Sequence, residues 1–396
     1  MGKKIRVWDG TAWQDVAPSL PYTAIHSAQA SMPATGVDGQ VWLDTDGTLA
    51  GQDFVPLSGG TMTGNLNTPS INSGPIVGRN KIINGDFSIW QRGTSFTGIA
   101  YDQPVADRFF TTANNIGSLT TSRQSFALGS APTSGYESQY FLRYSLAQTG
   151  SGGISNQVFT KIEDARTFAG QQVTFSFWAK SSTAYGATVF IDRWYGSGGS
   201  AVDYNAASSS GFNVTTTWQR FTTTLTIPSI SGKTVGANSF LRVGITLPAY
   251  TTVDVDTWGW QLEAGNQATP FHTATSNQQT ELAACQRYYV RYTGVDYTVL
   301  ATNGYTQSTT QGAYWTSLPV TMRVPPTSVE FSNVEFRDSG GGSGYVVNAI
   351  SVAPTLSTQN IARGGMTISS GTWTTFRPGF LEGSGTPCYL GFSAEL

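Results

Sequence analysis

Residues 172–180, QVTFSFWAK, alternate without a break. Val173, Phe175, Phe177 and Ala179 fall on one face, and Thr174, Ser176, Trp178 and Lys180 on the other. Residues 218–227, WQRFTTTLTI, alternate likewise, with Phe221, Leu225 and Ile227 prominent. A period of two, rich in threonine and aromatic residues, marks a half-buried antiparallel strand, because successive side chains leave a pleated backbone on opposite sides. Clusters of Gly, Asn, Asp and Ser break such runs at short intervals along most of the chain, as a β-sandwich requires. The expected class is all-β.

At 396 residues the chain exceeds one small domain, and its length suggests two or three. Charged residues make up 12%, about half the usual fraction of about 25%. Aromatic residues also reach 12%, with 11 Trp, whereas a disordered chain would be poor in them. Solubility must then come from Ser, Thr, Asn, Gln and backbone amides. The net charge is -2 and Lys/Arg runs are absent, so no nucleic acid partner is expected, since phosphate recognition needs a basic stripe. The cluster Lys3-Lys4-Ile5-Arg6 leads into Trp8-Asp9-Gly10 rather than an apolar core, so no cleaved signal is expected. Membrane insertion is not expected either, because no apolar run approaches the roughly 20 residues of a spanning helix. The two cysteines, Cys285 and Cys388, read as isolated packing thiols.

Four segments separate. Residues 1–50 begin with a hairpin-like IRVWDGTAWQDV, in which Asp9-Gly10 suits a tight primed turn. Residues 51–75 hold LSGGTMTGNL, whose few apolar anchors call for a partner strand or another subunit. Residues 76–274 form the largest block, all strand-like. Residues 275–396 open with the clearest helix, NQQTELAACQRYYV at 277–290. There Ser276 and Gln279 have capping-box spacing, with Thr275 as the other candidate cap, and Leu282, Cys285 and Tyr289 make an apolar face. A helix of this length is marginal alone and must pack on a sheet or on copies of itself.

Catalytic chemistry is sparse. His26 and His272 are the only histidines, and neither has motif-spaced partners for a triad or a metal site. Carboxylates that could pair for glycoside hydrolysis are Glu163, Asp164, Asp192, Asp203, Asp254, Asp256 and Glu263, although no β-helix repeat supplies a depolymerising groove. In DVDTWGW, alternation puts Asp254, Asp256 and Trp258 on one face, which reads as a solvated strand face. No catalytic residue is assigned and no enzyme is expected. Recognition chemistry remains. In IDRWYGSGG, Asp192, Arg193, Trp194 and Tyr195 precede a Gly/Ser loop, a grouping that suits carbohydrate, with Asp203, Tyr204 and Asn205 across it. The simpler reading has Trp194 packing under that loop.

Five ordered stretches carry a resemblance: NKIINGDFSIWQRGTSF, YDQPVADRFF, FAGQQVTFSFWAKSS, TTTWQRFTTTLTIP and WGWQLEAGNQATPFH. Together they resemble the jelly-roll, carbohydrate-binding-module-like domain of tailed-bacteriophage tail fibres. ELAACQRYYVRY and GFSAEL are similar to the C-terminal part of such proteins, and LSGGTMTGNL to a short fibre repeat. The likeness covers roughly residues 57–396. It implies a jelly roll over 76–274, with NGDF as its first strand and WGWQLEAG as its last, and a second C-terminal β-sandwich, the tip, after the helix. It implies a virion protein made in the host cytoplasm, a homotrimeric receptor-binding tail fibre that binds a surface glycan during host adsorption. Position alone makes residues 1–50 the attachment to other tail or baseplate proteins. Capsid decoration or tail assembly without glycan binding is the alternative reading, and a glycan-degrading tailspike a lesser one. No cofactor is expected beyond a structural calcium that some relatives hold near NGDF. Asp86 and Glu263 would supply its oxygen ligands, the simpler reading being a plain turn with surface charge.

Overall fold

A computed structural model of the chain describes residues 5–8, 11–15, 27–29, 41–44 and 78–396, the last span without 99–100, 114–117, 134, 148–155, 249–250, 341–343 and 369–370. LSGGTMTGNL and His26 lie outside the described residues. The chain divides into two compact units, residues 1–68 and 69–396. In the first, Ile5–Trp8 pairs antiparallel with Trp13–Asp15 and with Val41–Asp44, and Ser27–Gln29 joins the latter in parallel. The expected hairpin pairing forms, with Trp8 opposite Trp13, while Asp9-Gly10 lies outside the described residues.

The second unit begins with a sandwich of two six-stranded antiparallel sheets. The first runs, edge to edge, Asp203–Val214, Tyr185–Trp194, Phe240–Thr246, Gln157–Glu163, Phe109–Thr112, Gln103–Pro104. The second runs Gln219–Thr226, Gln172–Ser181, Val253–Ala264, Tyr140–Ala147, Ser118–Ser125, Ser95–Thr97. The alternation of 172–180 reappears as burial: Val173, Phe175, Phe177 and Ala179 are fully enclosed and share one core with Leu241, Val243 and Ile245 of the facing sheet.

Val253–Ala264 changes phase midway. Val253 and Val255 enter the core, and Asp254, Asp256 and Trp258 take the opposite face. A bulge facing Ser176–Trp178, turned by Gly259 at φ +67°, then brings Trp260 and Leu262 inward. A Cβ on Gly259 would sit 2.8 Å from the Trp178 ring. The face of Asp256 and Trp258 is not the solvated one expected. Tyr136 and Phe271 cover Trp258 at 5.6 and 4.8 Å, and Arg143 and Lys180 hold the buried Asp256 carboxylate.

NGDF is not a strand. Residues 83–86 form a turn, with Asn84 left-handed at φ 60° and Phe87 at φ 56°. The Asn84 amide replaces a strand neighbour: it accepts from the Ile89 N–H at 2.9 Å and donates to the Ile89 and Asp107 carbonyls. Two backbone bonds still tie the segment to Val253–Ala264, the last sandwich strand. Lys81 N–H reaches the Leu262 carbonyl at 3.0 Å, and Trp260 N–H reaches the Gly85 carbonyl at 2.9 Å.

The helix, α1, spans Gln278–Gln286. Its cap is Asn277 rather than Ser276 or Thr275, because Asn277 Oδ1 accepts the Thr280 N–H at 3.0 Å while Thr280 Oγ1 takes the Asn277 N–H. It stops short of Tyr289, since Tyr289–Gly294 pairs with Cys388–Ser393. Beyond it, a three-stranded sheet (Tyr289–Gly294, Cys388–Ser393, Ser328–Ser332) shares a core with a closed six-stranded barrel of Val299–Thr306, Gln311–Ser317, Ile361–Ile368, Tyr345–Ile350, Val334–Asp338 and Pro378–Gly383. The layered C-terminal arrangement thus exists with one of its sheets closed on itself.

Polar groups join the two cores. Arg108 pairs with Glu395 and lies 3.5 Å from the Tyr288 ring centroid. Arg287 and the Tyr288 hydroxyl meet Glu163, and Gln91 Nε2 donates to the Tyr289 carbonyl at 2.8 Å.

Candidate functional site

The residues expected to hold carbohydrate are spread over both faces of the first sheet. Asp192 and Trp194 lie on its outer face. Asp192 is buried and accepts two bonds from Arg242, at 2.8 and 2.5 Å, and one from the Asn205 N–H at 2.7 Å. The Arg242 guanidinium lies over Phe159 and Phe190, 4.9 and 5.4 Å from their centroids, and Trp194 stacks on Phe240 at 5.5 Å. Arg193 is fully buried and donates to the Pro228 carbonyl. Tyr195 is fully buried and donates to Asp203 Oδ2 at 2.7 Å. Asp192, Arg193 and Tyr195 therefore offer a ligand no free surface; of this group Trp194 stays half-buried, beside the exposed Tyr204.

Asp86 and Glu263 do not share partners. Asp86 accepts from Ser88 Oγ at 3.0 Å and Tyr136 Oη at 2.9 Å. Glu263 is enclosed and bonded by Arg79, Gln261 and Thr269. Among the described residues, no three of His, Cys, Asp and Glu cluster to hold a metal ion. The acidic neighbour of Asp86 is Glu281 on α1: burial raises the pKa of both, and the Asp86 charge raises that of Glu281 further.

These two acids line a hollow that begins at the turn of the NGDF segment. Its Asn84 N–H donates to Glu281 Oε1 at 2.6 Å, while Glu281 Oε2 takes the Thr275 N–H at 3.0 Å and its hydroxyl at 2.5 Å. The helix start is thereby drawn against residues 84–91. Two cavities result, of about 500 and 680 Å³, sharing Ser88, Asn277 and Gln278. The smaller is lined by Asp86, Tyr136, Ser138, Thr273, Ser276 and Glu281; burial holds the Tyr136 phenol above its usual pKa, so it stays protonated and donates to Asp86. In the larger, Ile89, Trp90 and Leu282 form an apolar wall rimmed by Gln91, Gln278 and Gln279. No Lys, Arg or His lines either among the described residues. Aromatic and aliphatic surface beside amides, hydroxyls and carboxylates suits a polyhydroxylated ligand, whose C–H faces need apolar cover and whose hydroxyls need donors and acceptors. SIWQ and the helix are both visible in the sequence, but nothing local joins them, because Glu281 and Asn84 are 197 residues apart.

The carboxylates considered for hydrolysis are each ion-paired: Glu163 with Arg287, Asp164 with Arg166, Asp192 with Arg242, Asp203 with Lys233, Asp254 and Asp256 with Arg143, and Glu263 with Arg79.

No family model and no curated protein matches the chain. Solved structures do align with it. A CBM4 structure is 17% identical over 46% of this chain and 98% of that one, with a TM-score of 0.30. The enzymatically active domain of tailspike protein 4 from bacteriophage CBA120 is 14% identical over 47% of this chain and 21% of that one, TM-score 0.30. A putative sugar-binding protein from Bacteroides thetaiotaomicron is 14% identical over 47% and 100%, TM-score 0.30.

Proposed function

We propose that the chain is a structural virion protein of a tailed bacteriophage, a homotrimeric tail fibre that holds a neutral host-surface glycan in the groove between residues 84–91 and α1. The groove carries the reading: Trp90, Ile89 and Leu282 face hydroxyl, amide and carboxylate groups across joined hollows large enough for several sugar rings. The ordered motifs support the virion assignment. Binding without cleavage fits the ion-paired state of the carboxylates above and the occupation of both Glu281 oxygens by Asn84 and Thr275. Three copies acting together would convert a weak site into firm adhesion.

The test is a glycan array on the intact chain. Neutral oligosaccharides should bind, and replacing the exposed Gln278 and Gln279 together by Ala should weaken them roughly tenfold while the fold is kept. No neutral glycan bound, or an unchanged affinity, removes the groove. Light scattering should give three chains per particle, and antibody should label phage tails. Labelled capsid faces would make the chain a decoration protein, and steady release of reducing ends would make it a hydrolase.

A further inference from the structure

The barrel exterior carries a second aromatic surface with a different charge. Register sets Asn303, Trp315 and Arg363 side by side across three strands, and Tyr305, Ala313 and Gly365 side by side in the next row. Directly opposed residues share a face, with Cβ atoms about 5 Å apart. The inward alternates Tyr314, Ala362 and Met366 are buried, so this row of Trp315 and Arg363 points outward. Trp315 is 38% exposed, and Ile361, which pairs with Ser317 in the adjoining row, is 42% exposed. Tyr305 meets Trp315 edge to face at 6.3 Å.

Arg363 is what distinguishes the patch. The other arginines of the barrel are neutralised, Arg337 by Glu335 and Glu382 and Arg377 by Asp338. Arg363 is exposed, and among the described residues no carboxylate pairs with it. An unpaired guanidinium beside an exposed indole complements a planar anionic group carried on a ring with an apolar face. The groove on α1 presents the opposite electrostatics, the three carboxylates of Asp86, Glu137 and Glu281 and, among the described residues, no cation.

We propose that the faces of Val299–Thr306, Gln311–Ser317 and Ile361–Ile368 form a second carbohydrate site that takes an anionic sugar, the ring on Trp315 and the acid group on Arg363. The anion is a sugar carboxylate or a sugar phosphate; both present oxygens to the same fork.

Titration calorimetry on the intact chain tests this with tetragalacturonate, glucose 6-phosphate and neutral galactotetraose. The proposal expects an anionic probe to bind with a salt-dependent affinity. Arg363→Ala should weaken that probe about tenfold or more and leave neutral binding unchanged, and Trp315→Ala should weaken it similarly. Tetragalacturonate alone responding assigns the carboxylate, and glucose 6-phosphate alone the phosphate. Indifference of both probes to Arg363→Ala overturns the site, whatever the groove binds. The occupant could instead be a second copy of the chain, so sedimentation is run on each variant. If Trp315→Ala dissociates the assembly, the face is a subunit contact and the proposal fails.

Discussion

Glu281 on α1 receives the backbone N–H of Asn84, and through that bond the C-terminal half of the chain fixes a turn of the sandwich. The carboxylate is 1% exposed and serves three donors, two of them on Thr275. Glu281→Ala should leave buried donors without acceptors and lower stability by roughly 3 kcal/mol. Glu281→Gln, which keeps one carbonyl oxygen, should lose about half of that in denaturant unfolding. Equal stability of both variants and the parent would mean the bond does not organise the groove.

Gly85 lies against the sandwich's last strand. A Cβ at this position would sit 2.2 Å from the Trp260 carbonyl oxygen, a backbone atom that cannot rotate away. Gly85→Ala should therefore cost about 3 kcal/mol or prevent folding, through displacement of the Trp260–Gly85 bond. Gly186→Ala is the control, since its Cβ would enter open space. It should change the unfolding midpoint little.

Local pattern carried the strands but not the partners. The alternation of 172–180 and the helical spacing after residue 277 were readable because both depend on neighbours a few positions away. NGDF was misplaced as a strand because the Asn84 side-chain amide takes up the backbone groups of Ile89 and Asp107, a bonding choice that competes with the ladder. The tetrad at 192–195 contained polar and aromatic side chains suited to sugar. The use of Asp192 is set by Arg242, which antiparallel register places opposite it, and that of Arg193 and Tyr195 by Pro228 and Asp203. One local signal was present: Arg242 stands alone in the apolar run FLRVGIT, and a single charge within such a run commonly has a partner across the sheet. The groove had no comparable signal, since its two sides meet only through tertiary packing.

Arg108 is 2% exposed and is held by Glu395, by the Lys161 carbonyl at 2.5 Å and by the Tyr288 ring. Removing one member of a buried pair strands the other, so Glu395→Ala should cost roughly 3–5 kcal/mol. The double variant Arg108→Met with Glu395→Ala should lose less than the sum of the single losses. The coupling from this cycle, measured by chemical unfolding, should exceed about 1 kcal/mol. Additive losses would show that the two halves of the chain are not clamped by this pair.

Asp107 gives the chain a pH dependence of definite sign. Its carboxylate is 1% exposed and accepts from Gln91 Nε2 at 2.8 Å, and burial pushes its pKa up to about 6 from an ordinary 3.8. The folded state thus binds this proton more tightly than the unfolded chain. The stabilisation is complete below about pH 4 and is lost as pH rises through 6. The tighter hold on the proton corresponds to roughly 3 kcal/mol. Burial raises Asp86 and Glu281 in the same direction, so the groove should also loosen as pH rises. Asp107→Asn removes the titration and keeps an acceptor for Gln91. Between about pH 4 and 7.5, the stability difference between variant and parent should move by about 2.4 kcal/mol in the variant's favour. A difference that stays constant over that range would place the Asp107 proton elsewhere.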